Sequence, residues 1–186
     1  MHRRTTFAAI VAATLFAAGC SVVAPQYSPA PVNAQVLKNG GDSKVAVGEI
    51  KADAGLDSAT SIGLRANSMK PQQGSYAAYL ADALKQELSF ANRYAADAHV
   101  EVGGVLIKNT IDVGGFSTAT GDLQARFIVT RNGTVVYDQV QSTHGQWDSA
   151  FAAAIAIPNA QIQYPVLVQK LLGALFADPA FIAAIK

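Results

Sequence analysis

Residues 122–137 read Asp122-Leu123-Gln124-Ala125-Arg126-Phe127-Ile128-Val129-Thr130-Arg131-Asn132-Gly133-Thr134-Val135-Val136-Tyr137. Successive side chains of a strand point to opposite faces, so Leu123, Ala125, Phe127 and Val129 share one face while Asp122, Gln124, Arg126 and Thr130 share the other. Asn132-Gly133 then supplies two residues that tolerate positive φ, as a type I′ turn requires. The chain returns over 134–142 with Val135, Val136, Tyr137 and Val140. An antiparallel hairpin with one apolar face is therefore the seed of the fold.

Upstream, residues 99–111 place Val100, Val102 and Leu106 on one face and Val105 and Ile107 on the other, which predicts a central strand with both faces partly covered. Gly114-Gly115 marks the turn between this strand and the hairpin. Further back, Tyr76, Tyr79, Leu80, Ala83, Leu84 and Leu88 recur at helical spacing opposite Asp82, Lys85, Gln86 and Ser89. Ser75 is the predicted N-cap of this amphipathic helix, which ends near Ala91-Asn92. Residues 44–50 read as a short strand, and Ile62-Gly63-Leu64 as a weaker one. Downstream, Tyr164, Val168, Leu171, Leu172 and Leu175 share a helical face, and Pro165 either starts or kinks that helix. Asp178-Pro179 forms an N-cap and first-turn proline for a last short helix reaching Ile185. The sum is an α+β fold, a mainly antiparallel sheet covered by two main helices, with a short C-terminal helix.

Composition bounds the function. The 186 residues carry 14 Lys and Arg against 13 Asp and Glu, with 51% apolar residues and one cysteine. No basic excess drives nucleic-acid binding, and a single cysteine forms no internal disulfide. Charged residues make up 15%, against roughly 25% in soluble domains, so part of the apolar excess belongs to a segment that does not fold in water.

That segment is at the N-terminus. Arg3 and Arg4 precede an uncharged stretch over residues 5–19, which is shorter than the ~20 residues a spanning helix needs and fits a cleavable signal. The run Leu15-Phe16-Ala17-Ala18-Gly19-Cys20 resembles the lipobox of bacterial lipoproteins. The resemblance implies cleavage between Gly19 and Cys20, a diacylglyceryl group on the Cys20 thiol, and Ser21 as a residue compatible with sorting to the outer membrane. Multiple acyl chains give stable anchoring that one chain does not. Loss of Arg3 and Arg4 turns the formal charge of +1 slightly negative, so attachment rests on lipid rather than on charge.

The expected organisation is a signal peptide over 1–19, a lipidated cysteine and flexible tether over 20–43, and a periplasmic domain over 44–186. Pro25, Pro29 and Pro31 favour extended conformations in the tether, the alternative being a first strand over 32–37 packed on the domain.

Candidate chemistry is sparse. His144, near Trp147 and Asp148 and flanked by Ser142 and Ser149, could serve a hydrolase, but no Gly-x-Ser-x-Gly elbow presents a nucleophile, and a histidine at a strand end is ordinarily a solvated or hydrogen-bonded residue. Neither His99 nor His144 belongs to a metal-ligand spacing. Gly103-Gly104 and Gly114-Gly115 match a bulge and a turn rather than a phosphate cradle. No catalytic, metal or cofactor residue is expected. The apolar run Phe151-Ala152-Ala153-Ala154-Ile155-Ala156-Ile157 is predicted as a buried connection onto the sheet, with contact to a membrane or partner as the alternative.

The helix Tyr79-Leu80-Ala81-Asp82-Ala83-Leu84-Lys85-Gln86-Glu87-Leu88, the strand 123–130 closing on Arg131-Asn132-Gly133, Val136-Tyr137, and the ending Ala177-Asp178-Pro179-Ala180-Phe181 resemble small proteobacterial envelope lipoproteins, in particular the YajG-like group and auxiliary lipoproteins of ABC-type transporters. The resemblance implies an outer-membrane-anchored, non-enzymatic domain facing the periplasm and working through an envelope protein partner. Carriage of a lipid or other apolar ligand is the alternative function, and an envelope hydrolase is another.

Overall fold

The computed structural model describes residues 21–186. Two sheets and four helices follow in the order β1 (Ser21–Val23), α1 (Pro31–Asn39), β2 (Ala46–Ala52), β3 (Ile62–Leu64), β4 (Asn67–Lys70), α2 (Tyr76–Phe90), β5 (Val100–Asp112), β6 (Thr118–Arg131), β7 (Thr134–Asp148), α3 (Ala153–Ala177) and α4 (Pro179–Ala184). The larger sheet has the order β2-β5-β6-β7 and the smaller the order β1-β4-β3.

The hairpin that seeds the reading is present. Leu123, Ala125, Phe127 and Val129 are buried on the face toward the helices while Arg126 is exposed, and Asn132 and Gly133 both take positive φ at the turn. β5, β6 and β7 form an antiparallel meander. β2 joins the other edge of β5 in parallel, a pairing that requires a long crossover, here supplied by β3, β4 and α2. The α+β class stands, with parallel pairing at one edge of a mainly antiparallel sheet.

Helix α2 has its predicted cap, since the Ser75 hydroxyl accepts from Ala78 N–H at 3.1 Å, and its predicted apolar stripe is buried. α3 is longer than its apolar stripe indicates: it begins at Ala153 and carries both Pro158 and Pro165 in its interior. Pro165 therefore does not start the helix. The run 151–157 is correspondingly split. Ala156 and Ile157 are buried as expected, whereas Phe151 and Ile155 are exposed. α3 seats on the sheet through Leu167, which lies against the cross-strand pair Gly121 and Gly145; a Cβ on Gly145 would fall 2.6 Å from a Leu167 methyl.

The expected tether over 20–43 is corrected where the structure describes it. Residues 21–39 hold a strand and a helix, and Tyr27, Ala34 and Leu37 are buried in the core. The prolines permit this because Pro31 occupies the first turn of α1, where its missing N–H leaves no bond unmade. Residues 32–37, weighed as a strand, are helical. The folded body thus includes residues 21–39 and is not confined to residues 44–186.

Candidate functional site

Gly19 and Cys20 lie outside the described residues, so the site is built from the residue that follows them. Ser21 opens β1, which pairs in parallel with β4 in the register Ser21↔Ser68, Val22↔Met69 and Val23↔Lys70. The ladder continues with Ala24 N–H donating to the Lys70 carbonyl at 2.8 Å. From there side chains of the two main helices take over the pairing. Gln161 of α3 donates to the Val23 carbonyl and Gln169 to the Ser28 carbonyl, each at 2.8 Å, while the Tyr79 hydroxyl of α2 donates to the Pro25 carbonyl at 2.9 Å. A proline-rich segment has few N–H donors of its own, and its carbonyls are met here by side chains.

At the centre of this attachment is Glu87, fully buried on α2. Its Oε1 accepts from the Tyr27 hydroxyl, from Ala30 N–H at 3.0 Å and from Asn33 Nδ2 at 3.1 Å. Asn33 Nδ2 also donates to the Gln169 carbonyl at 3.0 Å, so one carboxylate and one amide link α1, α2 and α3. Burial first, and then the Glu87 carboxylate, push the Tyr27 phenol well above its ordinary pKa; it stays a donor at every physiological pH. Burial raises Tyr79 likewise, with Asp82 adding to it. Tyr27, Tyr79, Tyr164 and Tyr76 pack in sequence, with edge-on or tilted rings 4.9–6.4 Å apart, a separation at which aromatic pairs attract beyond simple burial.

Sequence reasoning passes over Glu87, Asn33 and Tyr27. The available signal is positional: Glu87 falls at i+3 and i+4 from Leu84 and Ala83, inside the apolar stripe, where a carboxylate must be hydrogen-bonded to be tolerated.

The histidine candidates separate. His99 lies at the far end of the sheet, where Lys44, His99, Arg131 and Lys186 line a basic hollow of about 460 Å³. His144 stands inside β7 rather than at a strand end, because β7 runs on to Asp148. Its Nδ1 is 2.9 Å from Asp122 Oδ1, and Lys108 Nζ is 3.3 Å from the other carboxylate oxygen. The hydrogen bond with His144, helped by Lys108, holds the Asp122 carboxyl below its ordinary range. These residues flank a shallow groove of about 220 Å³ on the open face of the sheet, with Ser142 beside them. The histidine is oriented by an acid, as a general base is, but the hydrogen bond it makes is with Asp122 and not with Ser142. Among the described residues, no cluster of three His, Cys, Asp or Glu could hold a metal ion, and no helix is long and apolar enough to cross a membrane.

No family model matches the chain, and no curated protein does. Solved structures do resemble it. A protein of the family DUF330 from Xanthomonas campestris is 14% identical, with 84% of this chain and 94% of that one covered at a TM-score of 0.54. A "putative lipoprotein" from Caulobacter crescentus CB15 is also 14% identical, with 82% and 96% covered at a TM-score of 0.47. At such identities the first likeness shows a shared fold across nearly the whole of that chain.

Proposed function

We propose that this protein is a bacterial lipoprotein, held to a membrane through Cys20, whose domain acts by binding an envelope protein partner rather than by catalysis. The observation that carries the reading is that residues 21–39, which follow directly on the lipobox-like run ending in Cys20, are stapled into the body by Glu87, Gln161, Gln169 and Tyr79. An acyl group on Cys20 would therefore hold the domain directly, with almost no slack. Ser21 and the resemblance to envelope lipoproteins favour the outer membrane and its periplasmic side.

Metabolic labelling with radioactive palmitate tests the anchor. The unsubstituted chain takes up label and loses its signal segment; Cys20→Ser takes up none and keeps it. Label persisting in Cys20→Ser overturns the anchor, and separation of inner from outer membranes decides the site. Photo-crosslinking in intact cells would then identify the partner.

The Asp122–His144 pair favours a second reading, an envelope hydrolase with His144 as base. Turnover of ester or glycan substrates by the purified protein, lost in His144→Ala, would establish it.

A further inference from the structure

At the end of the large sheet where β5 turns into β6 and β7 leaves for α3, Phe116 and Phe151 stack with ring centroids 5.3 Å apart and 16° between their planes. They are 79% and 66% exposed. Ile155 and Ile162, on the first turns of α3, are also more than half exposed. This outward placement is built rather than accidental. Arg65, at φ +58° in the β3–β4 turn, donates to the carbonyls of Phe151, of Val113 at 2.7 Å, of Ala150 at 3.0 Å and of Gly115 at 3.3 Å. Its guanidinium carbon lies 5.3 Å from the Phe151 ring centroid, within cation–π reach. One side chain thus fixes both loops that carry the rings. Large apolar groups held rigidly in water mark a contact surface.

The path of the chain says what meets it. Ser21 pairs with Ser68, three residues beyond Arg65, and Val23 accepts from Gln161, the neighbour of Ile162. Ser21, the residue that follows Cys20 in the chain, therefore lies at this same end of the molecule. We propose that the Phe116–Phe151 pair, with Ile155 and Ile162, is a second membrane contact that inserts among lipid headgroups beside the acyl anchor. The proposal rests on the reading of Cys20 as the lipidated residue. Interfacial contact of this kind uses aromatic and branched apolar side chains. Exposed Asp112 and Asp148 lie close by in sequence, so insertion rather than attraction to anionic lipid drives the contact, and salt leaves it unchanged.

The test uses the full lipidated chain in phosphatidylcholine vesicles with brominated acyl chains, which quench tryptophan on contact. Phe116→Trp replaces a side chain that is mostly in solvent, and the unsubstituted chain, whose one tryptophan is Trp147, gives the background. Val135→Trp, at the opposite end of β7, is the distant control. The expected result is at least twofold quenching of Trp emission in Phe116→Trp, insensitive to 0.5 M salt, with the Val135→Trp signal unquenched. Palmitate labelling measured on the same preparation separates the failures. Label present without quenching overturns the membrane contact alone, whereas label absent overturns the Cys20 reading and the contact with it. An unquenched emission that shifts to the blue as protein concentration rises assigns the face to a second copy of the chain and also overturns the proposal.

Discussion

Both ends of the four-stranded sheet are closed by an arginine that gathers backbone carbonyls, yet the ends are finished in opposite ways. Arg93, 1% exposed, donates to the carbonyls of Leu37, Ser43 and Ile185. Two of these carbonyls terminate helices, where backbone acceptors are left over and the helix dipole is negative. Nearby, Arg131 donates to the Ala184 and Lys186 carbonyls, and the surface is polar and basic. Arg65 makes the same kind of fork at the other end but stays exposed, and what it fixes is a pair of uncovered aromatic rings. The same five-donor group is a strut of the core in one place and a splint for surface loops in the other. Burial makes the difference, because carbonyls deprived of both arginine and water lose far more than carbonyls that water can reach.

Four substitutions grade that contrast. Arg93→Ala should have the largest effect, a loss of about 3–4 kcal/mol in urea unfolding, since it takes the side-chain donor from the Ile185 and Ser43 carbonyls and leaves the Leu37 carbonyl with Gly40 N–H alone. Arg93→Lys should recover less than half, because an ammonium lacks the planar fork. A loss below about 1 kcal/mol would make the two ends equivalent and dissolve the comparison. Glu87→Ala asks whether the segment nearest Cys20 is held as firmly. It strands the Tyr27 hydroxyl and Ala30 N–H and leaves the Asn33 amide with the Gln169 carbonyl alone, and is expected to cost about 3 kcal/mol and to speed amide exchange at Ala30; unchanged exchange there would show the staple to be dispensable. Arg65→Ala should cost only about 1 kcal/mol, its partners being near water, while exchange accelerates at residues 113–117 and 149–152 and not around residue 43. Acceleration at both ends would mean that the loops are coupled through the sheet.

The smallest effect belongs to Asp122. Its carboxyl is depressed in the folded state, so it adds stability that is fully present above the unfolded value of about 4 and is lost as pH falls through the folded value. Asp122→Asn should therefore narrow the difference in stability between pH 7 and pH 3, by under about 1 kcal/mol given its exposure. Thermal melts at the two pH values measure this, and an unchanged difference would show that the His144 and Lys108 contacts contribute nothing.

The hairpin and α2 are legible in the sequence because each rests on a local rule, period-two alternation around Asn132-Gly133 and helical spacing behind Ser75. What is hidden depends on distant partners. β4 is polar apart from Met69, and it is a strand because β1 and β3 flank it. Residues 21–39 look like a linker by composition, and distant partners make them part of the body: pairing with β4, burial of Tyr27, Ala34 and Leu37, and the helical side chains that meet their polar groups. α3 absorbs Pro158 and Pro165 because packing on the sheet outweighs local helix preference. Of the candidate site, the sequence shows the anchor pattern and the histidine. The Phe116–Phe151 stack is invisible there, since 35 residues separate two rings that a turn arginine brings together.

The length of β7 has a consequence for scale. Its 15 residues span roughly 45–50 Å at about 3.3 Å per residue, and the strand runs from the Val135 end to the Phe151 end without a break. A body fixed to a bilayer at the latter end, with no loose chain between lipid and fold, would behave as a post of set height. Lys44, His99, Arg131 and Lys186 would be presented at that one distance, so a partner reaching for them would have to extend that far from its own footing. Lengthening the chain between Cys20 and Ser21 would remove the fixed height while leaving both the lipid and the basic hollow in place.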